Sequence, residues 1–206
     1  MLVSLSIISS VLVVSNAQPV KAQSSNAIYI RQDGSVDPST VPIQRSGDIY
    51  TLTGNIAGNI TVQKYNIVID GAGYTLQGLG VAGEGQPMRS TGIDLHYQYD
   101  VTIKNIRIRN FDQGIHIGNS FGTIITGNDI TDNGYGIAIF MCSTNKVIGN
   151  NITNNSNGGI WIGYSSNEVI SSNFVTNNAY GVFIDRSTST MLKNNSMVDN
   201  GQNRAR

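Results

Sequence analysis

Aliphatic and variable residues alternate in one short phrase that recurs through the chain: Gly92-Ile93-Asp94-Leu95, Gly114-Ile115-His116-Ile117, Gly136-Ile137-Ala138-Ile139, Gly159-Ile160-Trp161-Ile162 and Gly181-Val182-Phe183-Ile184. The leading glycines stand 22, 22, 23 and 22 residues apart. Within each copy two aliphatics flank one variable residue, which is the period-two pattern of a strand with one buried face. Two further aliphatic columns keep the same intervals: Ile103, Ile125, Val147, Ile170, Leu192, and Ile108, Ile130, Ile152, Val175, Met197. Three inward-facing strand segments per repeat predict a stacked solenoid. The 23-residue interval is explained by one extra turn residue, where Asn154 to Gly159 replaces Asp132 to Gly136.

Polar residues follow the same period. Asn128, Asn150, Asn173 and Asn195 occupy one turn position in four successive repeats. Asn accepts left-handed backbone, and identical amides stacked at the roughly 4.8 Å strand spacing can bond along the axis, so this column is read as a structural ladder. Asp132, Asn154, Asn177 and Asp199 form a second turn column. The fold class expected is all-β, a right-handed parallel β-helix of about 22 residues and three strands per coil, with roughly six or seven coils. A leucine-rich repeat has a similar period but requires a Leu-x-x-Leu-x-Leu consensus that is absent here.

The remaining segments divide the chain. Leu2 to Val14 is an apolar run broken only by serines, and Val20-Lys21-Ala22 offers small residues for signal peptidase, so residues 1 to 22 are read as a secretory signal although no Lys or Arg precedes Lys21. Left uncleaved, the segment is the chain's one expected membrane attachment. Residues 23 to 47 read as a lead-in or cap and 48 to 206 as the repeat domain. Leu79 to Ser90, with three glycines and Pro87, reads as a projecting loop. The chain stops after Asn200-Gly201 where the next phrase would begin, which suggests a truncated domain or an end-to-end self-association surface.

Thirteen basic and thirteen acidic residues, without a basic cluster, exclude a nucleic-acid partner. The one cysteine, Cys142, permits no internal disulfide and is read as a small buried hydrophobe.

Asn66-Ile67-Val68-Ile69-Asp70-Gly71-Ala72-Gly73-Tyr74-Thr75-Leu76, then Val101-Thr102-Ile103-Lys104-Asn105 and the Gly-Ile-x-Ile and Asn-x-Ile repeats, resemble the NosD-type β-helix, a group overlapping the carbohydrate-binding and sugar-hydrolase (CASH) repeats. The resemblance covers roughly Asp48 to Gly201 and rests on core and turn residues. It implies export to a secreted, periplasmic or cell-surface location, and either polysaccharide binding or processing or, as for NosD itself, an accessory role in copper-site assembly.

Alternation places Asp94, His116, Ala138, Trp161 and Phe183 in one outward column, beside a second of His96, Gly118, Phe140, Gly163 and Asp185. Aromatic rings next to carboxylates and imidazoles suit a sugar-binding surface, the alternative being rings covered by a loop or a neighbouring chain. The expected partner is polysaccharide or cell-surface glycan and the expected site Trp161, Phe183, His116, Asp94, His96, Phe140 and Asp185. No catalytic residue is assigned, because Asp94 and Asp185 lie four coils apart. A β-helix lyase, hydrolase or epimerase acting on an acidic polysaccharide is the rival reading, and a structural surface repeat a third. Arg107 and Arg109 read as a solvated strand face. Asp94, His96 and His116 offer at best three mixed ligands, and the soft ligands Met88, Met141 and Cys142 lack a repeated spacing, so neither copper nor calcium is assigned.

Overall fold

The computed structural model describes residues 26–80 and 90–205. The expected signal segment, residues 81–89 of the Leu79 to Ser90 loop, and Met88 lie outside the described residues. The chain folds as a parallel β-helix of about seven turns. Face 1 stacks Thr91–His96, Gln113–Gly118, Tyr135–Phe140, Gly158–Gly163 and Tyr180–Asp185. Face 2 stacks Val68–Asp70, Thr102–Lys104, Ile124–Thr126, Lys146–Ile148, Val169–Ser171 and Met191–Lys193, and face 3 stacks Thr75–Gln77, Arg107–Arg109, Asp129–Thr131, Asn151–Thr153, Phe174–Thr176 and Ser196–Val198. The register is identity-like: Ile115 pairs with Ile93 and Ile137, and Ile125 with Ile103 and Val147. Each aliphatic column therefore becomes a buried ladder, from Ile93 through Val182 on face 1 and from Ile69 through Ile170 on face 2.

The amino-terminal end departs from this pattern. Ile56–Val62 bends from face 3 into face 1, pairing with Leu76 and Gln77 at one end and Ile93 to Leu95 at the other. Asn26–Ile30 adds to it in parallel, while Ile43–Ser46 runs antiparallel to Ile49–Leu52 and stops face 2. Beneath them the fully buried Tyr50 donates its hydroxyl to the Gly34 carbonyl at 2.9 Å.

Each coil turns at four corners rather than three. Single bridges between Tyr99, Phe121, Ser143, Ser166 and Thr188 make a short fourth edge between faces 1 and 2. Each corner holds one residue of positive φ, as at Asp132 (57°), Asn154 (57°) and Asn177 (55°), and from Asn119 onward the residue after it points inward with a polar group. The four resulting columns satisfy backbone groups that would otherwise be orphaned where strands end. In the first, the Nδ2 groups of Asn128, Asn150 and Asn173 donate to the Oδ1 of Asn150, Asn173 and Asn195 at 2.9, 3.0 and 2.9 Å. In the second, Asn133, Asn155 and Asn178 do the same toward Asn155, Asn178 and Asn200 at 3.2, 2.9 and 3.0 Å. This ladder sits one residue after the turn column of Asp132, Asn154, Asn177 and Asp199: those four supply the bend and their successors supply the amides.

The third column is Gln98, Ser120, Cys142, Ser165 and Ser187. Backbone N–H groups of Gln98, Cys142 and Ser165 donate to the hydroxyls of Ser120, Ser165 and Ser187 at 2.9, 3.0 and 2.9 Å. Cys142 is buried, and its thiol donates to the Phe140 carbonyl at 3.2 Å as the serine hydroxyls do to theirs. The fourth column contains Thr123, Asn145 and Glu168. The fully buried Glu168 carboxylate accepts from Asn145 N and Nδ2 at 2.9 and 3.3 Å.

Candidate functional site

Face 1 is the surface on which the variable residues fall, and the structure divides it in two along the axis. In the amino-terminal half His116 Nδ1 lies 2.8 Å from Asp94 Oδ1, both side chains being half-buried. His96 packs on the Tyr97 ring with centroids 4.4 Å apart, stands 6.1 Å from the His116 ring, and has its Nε2 3.3 Å from Asn119 Nδ2. Gly118 makes the arrangement possible, since a β-carbon there would stand 3.1 Å from His116 Cε1 and 3.2 Å from His96 Nδ1.

In the other half, rings form a continuous band across two neighbouring coils. Tyr135 and Phe140 begin and end one strand; Trp161 lies in the middle of the next and Tyr164 just past its end. Trp161 is 5.9 Å from Tyr135 and 5.7 Å from Phe140 between centroids, and Phe140 meets Tyr164 edge-on at 5.4 Å. Gly158 and Gly163 leave the gaps into which these rings settle, a β-carbon at Gly163 falling 3.1 Å from Phe140 and 3.2 Å from Trp161. Phe183 follows Trp161 in register and packs on Tyr180 at 5.7 Å. Ala138, an outward position between His116 and Trp161 in the register, is fully buried.

Five of the seven site residues expected from the sequence thus fall into two groups, Asp94, His96 and His116 in one and Phe140 and Trp161 in the other. Phe183 and Asp185 share the next coil, Asp185 lying 3.9 Å from the Arg186 guanidinium. Asp94 and Asp185 are not brought together: four strand spacings of about 4.8 Å separate them by roughly 19 Å, beyond the reach of a carboxylate pair on one sugar.

Tyr135 and Tyr164 complete the band and are absent from the expected set. A signal for Tyr164 exists in its corner column. Other corners carry mostly Asn, Asp, Gly, Ser or Thr at the positive-φ position, whereas the corner closing face 1 carries Tyr97, Asn119, Met141, Tyr164 and Arg186. Left-handed backbone costs a bulky residue roughly 1–2 kcal/mol. The side chains themselves are well exposed, Tyr97 at 71% and Tyr164 at 43%. Arg186 lies over the Tyr164 ring at 5.2 Å and donates to its hydroxyl.

The NosD family, described as periplasmic copper-binding protein (NosD), matches residues 54–204. The chain belongs to the NosD family. No curated protein matches it. Among solved structures, DFA-IIIase from Arthrobacter chlorophenolicus A6 without its lid is similar at a TM-score of 0.52 and 16% identity, over 74% of this chain and 36% of that one. A cysteine-to-alanine mutant of the same enzyme in complex with DFA-III is similar at 0.52 and 15% identity, over 74% and 34%. The chain spans about a third of the length of those structures, and the likeness is one of fold.

Copper, named in the NosD description, is not matched by the His, Cys, Asp and Glu donors among the described residues. Among the described residues no three His, Cys, Asp or Glu are grouped to hold a metal ion. Asp94 is taken by His116, and His96 is turned toward Tyr97 and Asn119. Burial pushes the Cys142 thiol up to about 11, so the thiolate that a soft metal requires is not formed near neutrality. A concavity of about 80 Å³ lies instead beneath the amino-terminal strands, lined by Ile28, Pro38, Val41, Pro42, Asn55 and Ile56. It is well below the several hundred Å³ of an ordinary ligand pocket.

Proposed function

We propose that this NosD-family chain works outside the cytoplasm as a non-catalytic binder of polysaccharide or cell-envelope glycan, gripping it on face 1. One observation carries the reading: the continuous band of Tyr135, Trp161, Phe140 and Tyr164, with Tyr164 held in left-handed backbone at a corner where Asn or Gly would be easier. Rings with an apolar face and a polar rim suit the C–H faces and hydroxyls of a sugar. The family's description as periplasmic supports the location. No helix among the described residues is long and apolar enough to cross a membrane. The test is retention of the chain on immobilised polysaccharides. Trp161→Ala is expected to weaken retention by about tenfold or more, as truncations at the centre of an interface do. Full retention by this variant would move the site elsewhere.

A second reading is favoured by the Asp94–His116 pair, since a carboxylate on one imidazole nitrogen orients the ring for general-base chemistry at the other. In that reading the protein is a β-helix lyase, hydrolase or epimerase. Turnover of a polysaccharide, lost in His116→Ala and retained in Trp161→Phe, would establish it in place of the first.

A further inference from the structure

We infer that the ligand of face 1 is a neutral polysaccharide lying across the ring band, and that polyuronates and sulfated glycans are disfavoured there; this rests on the glycan-binding reading above. The argument begins from charge. The five strands Thr91–His96, Gln113–Gly118, Tyr135–Phe140, Gly158–Gly163 and Tyr180–Asp185 contain no Lys or Arg. Their ionic side chains of fixed sign are the carboxylates of Asp94 and Asp185. Recognition of sugar carboxylates or sulfates uses Arg and Lys, whose charge and paired N–H groups match the anion. Arg186, a cation beside the band, is already engaged with Asp185 and with the Tyr164 ring and hydroxyl. His116 is already engaged with Asp94.

Most of the basic residues on the strands lie elsewhere, face 1 carrying one, Arg204, on Gln202–Ala205, the strand beyond Tyr180–Asp185. Lys104, Lys146 and Lys193 belong to face 2 and Arg107 and Arg109 to face 3. The partition leaves the strands under the ring band without a Lys or Arg to pair with a polyanion, whereas a neutral chain needs none. Carboxylates, tyrosine hydroxyls and the Gln113 amide are groups that hydrogen-bond neutral hydroxyls.

The direction of the ligand follows from the band. Tyr135 and Phe140 begin and end one strand, Trp161 bridging their rings at 5.9 and 5.7 Å, and Tyr164 extends the same line past the corner. Along the axis toward the amino terminus the aromatic surface stops, Ala138 standing between Trp161 and the His116 imidazole. A saccharide chain covering the most aromatic surface therefore runs parallel to the strands, with Tyr135 and Tyr164 at its two ends.

The test measures binding of the full chain to a neutral glucan, mannan and galactan, and to polygalacturonate, alginate and heparin, at about 50 and 500 mM salt. The expected result is that a neutral polymer binds with an affinity that changes little with salt. Tyr135→Ala and Tyr164→Ala should each lower it about tenfold while Phe183→Ala has a smaller effect, thermal melts confirming that every variant is folded. Tighter binding of a polyuronate or heparin, weakening as salt rises, overturns the inference while leaving glycan binding in place. A neutral ligand equally sensitive to Phe183→Ala and insensitive to Tyr135→Ala overturns the transverse placement. Binding of none of the six polymers overturns both this inference and the reading beneath it.

Discussion

At the scale of single residues, the protein is held by polar groups that replace strand hydrogen bonds at the corners. Asn150 illustrates the demand. Its Nδ2 donates to Ile125 O, Ile148 O and Asn173 Oδ1 at 2.9, 3.2 and 3.0 Å, and its Oδ1 accepts from Asn128 N and Nδ2 at 3.0 and 2.9 Å. Asn150→Ala strands several buried groups at roughly 1–3 kcal/mol each and is expected to lower stability by about 3 kcal/mol or more in denaturant unfolding. Asn195→Ala, at the part-buried end of the same ladder, should cost less than half as much. Glu168 is the exception among these residues, a carboxylate where its neighbours are amides or hydroxyls. Burial pushes its carboxyl up from an ordinary 4.5 to about 7, although two hydrogen bonds from Asn145 pull the other way. Between those two pH values the folded chain keeps a proton that the unfolded chain has released, so stability falls as pH rises through the window and levels off above it. The effect amounts to roughly 3 kcal/mol at pH 8. Glu168→Gln keeps an oxygen acceptor for Asn145 and removes the titration. Its melting temperature is expected to exceed that of the wild type at pH 8, to approach it near pH 4, and to show a flatter profile between; parallel profiles would contradict the assignment.

Elements were legible in the sequence to the extent that they repeat a residue type. Aliphatic columns such as Ile103 to Leu192 announce the strands because the core asks for the same shape in every coil. The first asparagine column announces its ladder for a similar reason. The second turn column was legible as a bend, but the ladder one residue beyond it was not, because Asn occurs at both positions and composition alone does not say which of Asn154 and Asn155 points in. The third and fourth columns stayed hidden because serine, cysteine, threonine, asparagine and glutamate serve in turn, united by hydrogen-bonding capacity rather than identity. The site was half legible. Alternation placed Trp161 and Phe140 outside, while Tyr164 lay at a corner that a strand pattern does not describe. That corner yields its own prediction. Tyr164→Asn replaces a bulky residue at φ 51° by one suited to left-handed backbone. Stability should stay level or rise by up to about 1 kcal/mol, while glycan retention falls. A ring held there for packing alone would instead show reduced stability with unchanged retention.

As a whole molecule the protein is a one-dimensional stack in which each coil touches its two neighbours, so its parts should separate by whole coils and by nothing smaller. Equivalent positions recur at Ile103 and Ile125 and at Lys104 and Thr126. Deleting residues 104–125 joins Ile103 to Thr126 and removes one complete turn, including His116, without altering the order of faces or corners. The ring band of Tyr135, Phe140, Trp161 and Tyr164 survives intact. The shortened chain is expected to retain a cooperative β-type melt, with a lower melting temperature because one coil of buried Ile106, Ile108, Ile115 and Ile117 is gone. Deleting only residues 104–114 shifts faces and left-handed corners out of register and is expected to yield no cooperative fold, since every inward column is broken at once. The whole-coil deletion also separates the two functional readings, because it removes one member of the Asp94–His116 pair and leaves the aromatic surface whole. Retention on a neutral polysaccharide should persist in this variant, measured against the parent chain under identical salt. If retention instead disappears while the melt stays cooperative, binding depends on the His116 coil and the site extends along the axis rather than across it.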